Sequence, residues 1–144
     1  MIAVDANILV YAHRREAPQH RRATEAILDL VNAPALWAIA WACVHEFLSV
    51  VTNAKAMRTP TPLDQAFAQI EAWLSGGNLL LLNEGPNHMA ILRDLAASGG
   101  IRGGQFHDAR IAAICLQHGV SELWTVDRDF SHFPALKTRN PLVA

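Results

Sequence analysis

Cysteine, net charge and long apolar stretches are all scarce in this sequence, and each scarcity removes a class of protein. Two cysteines, Cys43 and Cys115, in 144 residues are too few for a disulfide framework. Both fall in apolar helical patterns and read as buried thiols of a cytosolic protein, with a single disulfide left open. A formal net charge of -1 gives no global pull toward nucleic acid or an anionic membrane, so any such contact needs a local patch or a bound cation. The longest uncharged apolar tract, Ala33 to Val44, is too short to span a bilayer. A first strand at residue 2 leaves no room for a leader, and the expectation is a cytoplasmic protein with no membrane association. The glycine-rich loop Gly99-Gly100-Ile101-Arg102-Gly103-Gly104 lacks the Lys-Ser/Thr ending that a phosphate-cradling loop needs. The histidines, at 13, 20, 45, 88, 107, 118 and 132, show no paired spacing suited to zinc.

What is present is a hydrophobic content of 51% in a chain of one-domain length, enough for a sizeable core. Short apolar runs alternate with helical patterns. Strands are expected at Ile2-Ala3-Val4, at Leu36 to Ile39, at Asn78 to Leu82 and at Glu122 to Thr125, with a short edge strand over Thr138 to Val143 interrupted by Pro141. Helices are expected over His20–Asn32, Trp41–Asn53, Leu63–Leu74, Pro86–Ser98 and Phe106–His118. Trp37, Trp41, Trp73 and Trp124 sit in core-like runs and read as packing residues. Strand-helix alternation argues for one α/β domain over residues 1–144, with a parallel sheet covered on both faces.

Against this apolar background the acids stand out. Asp5 directly follows the first strand, at the sheet edge where open α/β folds bind ligands; by itself it could equally start a turn. Glu46 is the only acid between Pro34 and Ala54, on a helix face that reads as largely buried; the plain alternative is a carboxyl paired with an arginine in the core or reaching solvent. Asp108 shares a helix face with Ile111, Ala112 and Cys115, in a first turn where the helix dipole favours a carboxylate. Asp127 and Asp129 follow the fourth strand, where turn chemistry is the plain alternative. Asn7 and Thr125 are neutral oxygen donors beside them. Carboxylates drawn to one sheet edge repel and would share protons unless a hard cation resolves the conflict. Oxygen-only ligands suit Mg²⁺ or Mn²⁺. If such repulsion is real, neutralising Asp5 or Asp108 should leave the metal-free fold at least as stable.

The ordered set Asp5-Ala6-Asn7, Glu46, Asp108-Ala109 and Thr125-Val126-Asp127-Arg128-Asp129-Phe130 resembles the PIN domain, over essentially the whole chain. In size and in the way the chain starts it is similar to the VapC toxins of bacterial toxin–antitoxin pairs. The resemblance implies a three-layer α/β/α fold with a parallel, roughly five-stranded sheet. It also implies a Mg²⁺-dependent endoribonuclease that hydrolyses RNA with a metal-activated water, is usually homodimeric and is silenced by a VapB-like antitoxin. By position, Asp5, Glu46, Asp108 and Asp127 would form the catalytic and metal-holding quartet, with Asp129, Asn7 and Thr125 in support. Arg14, Arg15, Arg21, Arg22, Arg102 and Arg128 are candidates for the RNA backbone. Two alternatives are an RNA-processing nuclease outside a toxin–antitoxin pair and a non-cleaving binding module. A haloacid-dehalogenase-like phosphatase would want a second acid where Asn7 stands.

Overall fold

The structure, a computed structural model, describes residues 1–143. In chain order the elements are β1 (Ile2–Val4), α1 (Ala6–His13), α2 (His20–Asn32), β2 (Trp37–Ala40), α3 (Trp41–Val51), α4 (Leu63–Leu74), β3 (Leu79–Leu82), α5 (His88–Gly99), α6 (Gln105–Gln117), β4 (Glu122–Trp124) and β5 (Thr138–Arg139), with a 3-10 turn at Arg128–His132 between the last two strands. The five strands form one sheet in the order β3-β2-β1-β4-β5, and every pairing is parallel.

Strand order explains where function can sit. The chain starts in the middle at β1, builds outward through β2 and β3, then returns to lay β4 on the other side of β1. Between β1 and β4 the direction of winding reverses. The carboxyl ends of strands at such a switch point open a crevice, because the helices leaving them go opposite ways. Asp5 and Thr125 are the residues next after those two strands.

Strand interiors are apolar on both faces, as a covered parallel sheet requires: all four residues of β2 are buried. Trp37, Phe47, Phe130 and Phe133 are the largest fully buried side chains. Phe47 packs edge-on against Trp73, with ring centroids 5.4 Å apart, tying α3 to α4. Gly119 ends α6 at φ +67°, a left-handed conformation that costs glycine nothing.

Several expectations change. Helix α1 has no sequence signature, because its eight residues are apolar nearly all round and carry no polar stripe; it starts where Asp5 caps the Ala6 N–H. Strand β5 is only two residues long. Its continuation is broken by Pro141, which has no N–H for a ladder, and by a turn in which Asn140 accepts the Leu142 N–H at 2.9 Å. Trp41 is 39% exposed rather than core, since it opens α3 at the rim of the sheet. Cys43 and Cys115 are buried free thiols, as the sequence led us to expect.

One polar residue fastens the far end of the sheet. Buried Asn78 accepts the Trp37 indole N–H at 3.2 Å. Its amide nitrogen donates to the carbonyls of Leu30 at 2.8 Å, Ala33 at 2.8 Å and Ala35 at 3.0 Å. These carbonyls belong to the end of α2 and the loop into β2; the Leu30 carbonyl also accepts the capping Ala33 N–H at 3.4 Å, whereas the Ala33 and Ala35 carbonyls lie past the helix ladder. Asn78→Ala takes the Asn78 partner from the Ala33 and Ala35 carbonyls and from the indole, and should cost about 3 kcal/mol, read as a loss in chemical-denaturation midpoint.

Candidate active site

Asp5 is held by five neighbours. Its own N–H makes a ladder bond to the Trp124 carbonyl at 2.9 Å, which fixes the backbone at the β1–β4 seam. Oδ1 accepts the Ala6 N–H at 2.8 Å and lies 3.5 Å from the Cys43 thiol. Oδ2 accepts the Thr125 hydroxyl at 2.7 Å and the Asn7 amide at 3.1 Å. At 4% exposure, the carboxylate is a buried anion that survives only because donors surround it.

Thr125 links this anion to the surface. Its hydroxyl gives its one proton to Asp5 and accepts from the Asn7 amide at 3.1 Å and the Asp127 N–H at 3.0 Å, which uses all its hydrogen-bonding capacity. Asn7 closes the ring by accepting the Val126 N–H at 3.2 Å; with a carboxylate on one side and an N–H on the other, its amide has one workable orientation. Asp127 in turn accepts the Asp129 N–H at 2.8 Å and so caps the 3-10 turn. Phe130, 1% exposed, anchors that turn in the core.

The product of this scaffold is a group of carboxylates. One oxygen each from Asp108, Asp127 and Asp129 lies within 4.8 Å of the others. Asp108 comes from the first turn of α6, while the other two come from the segment after β4. No histidine or cysteine belongs to the group. Asp129, which the sequence ranks as support, is a full member, whereas Asp5 and Glu46 stand outside this tightest set. Glu46 is a correction: it is exposed on α3 rather than buried, with Ala6, Asn7, Val10, Tyr11 and Val50 around the hollow beside it. The participation of the Cys43 thiol had no signal in the sequence, since it depends on α3 crossing the end of β1.

Electrostatics record the crowding. Burial pushes the Asp108 carboxyl up to about 6, helped by the charges of Asp127, Asp5 and Asp129 and partly offset by His107. Glu46 is raised by partial burial and then by Asp5, Asp108 and Asp127. Asp5 is raised by burial, although its hydrogen bonds pull the other way. All three shifts favour protonation in a cluster left without a cation.

The arginines divide. Arg21 pairs with Glu25 on the surface of α2, Arg22 donates to the Leu142 carbonyl and Arg102 to its own neighbour's carbonyl at Ile101. Arg128 is exposed beside the acids. Arg14 and Arg15 border a separate cleft, together with Arg58.

The family model for the PIN domain matches residues 2–136. Among curated proteins, Ribonuclease VapC33 of Mycobacterium tuberculosis is 34% identical over 142 residues, covering 99% of each chain. Among solved structures, the chain is similar to VapBC2 from Rickettsia felis bound to a promoter DNA fragment, with a TM-score of 0.70 and 20% identity over 96% of this chain and 98% of that one. It is also similar to VapC20 of Mycobacterium tuberculosis, described as a toxin that cleaves the sarcin-ricin loop, with a TM-score of 0.67 and 17% identity over 91% and 93% of the two chains.

Asp5 and Asp108 should respond to neutralisation in opposite ways, which corrects the expectation that both are tolerated. Asp108→Asn removes a repelled charge. Because the folded-state value is raised from 3.8 to about 6, this carboxyl makes wild-type stability fall as pH rises from about 4 to above 6, and the variant lacks that share of the fall while keeping those of Asp5 and Glu46. In chelator, the advantage of Asp108→Asn should therefore be absent at pH 4 and reach about 1–2 kcal/mol at pH 7, after discounting for solvent screening. Asp5→Asn turns an NH2 group toward donors whichever way the amide lies, and should lose about 1–2 kcal/mol. Thermal melts of both variants between pH 4 and 7 check the contrast.

Proposed function

The chain belongs to the PIN-domain family, and on that premise we propose that it is a divalent-metal-dependent endoribonuclease of the VapC type, the toxin of a VapBC toxin–antitoxin pair. The observation that carries the reading is the trio Asp108, Asp127 and Asp129, gathered within 4.8 Å at the β1–β4 switch point. The ribonuclease names of relatives at full-length coverage support it. The solved VapBC2 complex supports an antitoxin as partner. Residues 1–144 act as one nuclease domain in this account.

The donor set fits a hard cation. It is all carboxylate oxygen, its members repel one another, and the nearby neutral oxygens are those of Asn7 and Thr125. Asp108, Asp127 and Asp129 would hold Mg²⁺ or Mn²⁺, with Asp5 and Glu46 adding negative charge around them. When bound, the ion would offset charge on the scissile phosphate and supply an acidified water for its hydrolysis.

The chain's own residues do the rest. Asp5 is a positioning residue: through the Thr125 hydroxyl it fixes the Asp127 backbone, and through Asn7 it fixes Val126. Asp127 holds Asp129 by accepting its N–H. Glu46, exposed at the rim, would take a proton at its carboxylate from a group entering the crevice. Asp108 must give up its proton before its oxygen can serve as a ligand, so a cation and a proton compete there. A homodimer is part of the proposal, with α4 offering exposed Leu63 and Phe67 as apolar surface for a second copy or the antitoxin, whose tail would end in a basic side chain near the acids.

Cleavage of RNA should require Mg²⁺ or Mn²⁺ and vanish in EDTA. Asp127→Ala and Asp129→Ala should each lower single-turnover cleavage at least about a hundredfold, because each removes a ligand, and Asp127→Ala also removes the acceptor that caps the turn. Full activity in EDTA, or wild-type cleavage by Asp127→Ala, would remove this mechanism. RNA binding by the wild type without cleavage in any metal would favour the non-cleaving module instead.

A further inference from the structure

The acids at the sheet edge repel the polymer they are proposed to cut, so the strand must be held by cations elsewhere on the chain. A cavity of about 780 Å³ lies beyond the far end of α1, between it and the loop that leads into α4. Three guanidinium groups border it, from Arg14, Arg15 and Arg58, against one carboxylate, Glu16. In a chain of net charge -1 this is a local concentration of positive charge.

The cleft is built rather than incidental. The Arg14 side chain is 12% exposed and pairs with Glu16 at 2.6 Å. It also donates to the Thr61 hydroxyl at 3.0 Å. Thr61 is itself buried and bonds the His13 ring at 3.0 Å. That ring bonds Gln69 at 3.0 Å with its other nitrogen and packs edge-on against Phe47, with centroids 5.4 Å apart. Arg14 is thus fixed, and it satisfies the Glu16 charge. Arg15 and Arg58 are exposed and make no ion pair among the described residues.

The cleft is also aligned with the acids. Asn7, at the site, lies on the same face of α1 as Val10 and Tyr11 one turn on and Arg14 one turn further. The hollow lined by Asn7, Val10, Tyr11, Glu46 and Val50 occupies the middle of that face. Nine residues of helical rise separate Asp5 from Arg14 by about 13 Å, the reach of roughly four stacked nucleotides at about 3.4 Å each.

We propose that the Arg14–Arg15–Arg58 cleft binds phosphates of single-stranded RNA several nucleotides away from the scissile bond, with the strand following α1 from the acids to the arginines. This rests on the ribonuclease reading for the identity of the strand. Arg15 and Arg58 contact phosphates directly, and Arg14 holds the cleft's shape through Thr61 and Glu16.

The test is binding of a fluorescent single-stranded 12-nucleotide RNA in EDTA, which keeps it separate from cleavage. The double variant Arg15→Gln/Arg58→Gln should bind about tenfold or more weakly at low salt, and its slope of log K against log salt should shrink by about 1.4, the release expected for two lost single-strand phosphate contacts. Arg93→Gln, an exposed cation on α5, serves as the charge control and should bind like wild type. Equal binding by the double variant and wild type overturns the proposal. So does equal weakening by Arg93→Gln, which marks a diffuse charge effect. Unchanged RNA affinity with lost affinity for an acidic peptide assigns the cleft to a protein partner and also overturns it. A wild type that binds RNA through these arginines but never cuts it sinks the ribonuclease reading while upholding the cleft.

Discussion

The rest of the site depends on one conflict: three carboxylates within 4.8 Å of each other, with Asp5 near enough to raise Asp108 and Glu46 near enough to be raised by Asp5, Asp108 and Asp127. Left alone, such a group would protonate or spread apart. Here it cannot spread, because each member is tied to a rigid element. Asp108 is fixed by α6. Asp127 and Asp129 are fixed by a turn whose backbone hangs from Thr125, whose side chain hangs from Asp5. Asp5 is the one acid given a full set of donors, and it is the most buried of the group. The fold surrounds one buried carboxylate with donors and uses it to hold the others where they repel.

That arrangement follows from topology. A sheet that starts at its middle strand and winds both ways has its reversal between β1 and β4. The three-residue β1 and β4 place Asp5 and Thr125 side by side without any long loop. Helix α3 leaves β2 with no intervening residue, bringing Cys43 to Asp5 and Glu46 to the rim. The core therefore does functional positioning as well as stabilisation: Phe130 and Phe133 beneath the turn keep Asp127 and Asp129 in register with α6.

The acids were legible in the sequence because charge inside apolar runs is rare and has few explanations. The parallel sheet was legible from strand-helix alternation. Glu46 was misjudged because helical periodicity tells which residues share a face but not which face meets the core at a sheet edge. The same limit misplaced Trp41. Asp129 was ranked below Asp127 because it lies farther from the end of β4; the 3-10 turn, capped where Asp127 accepts the Asp129 N–H, brings both beside Asp108. The α1 helix was hidden by its own hydrophobicity. Arg58 could not be joined to Arg14 and Arg15 without knowing that the loop into α4 returns to the end of α1.

The central claim is that this trio is a cation site held ready by the fold, with repulsion that only a cation relieves. The most direct measurement is the melting temperature of chelator-stripped protein with and without Mn²⁺, for wild type and for Asp108→Asn, Asp127→Asn and Asp129→Asn. At about a hundred times its dissociation constant, Mn²⁺ should stabilise the wild type by about 2.7 kcal/mol and each variant far less. Equal stabilisation of wild type and all three variants would contradict the account and place the cation elsewhere.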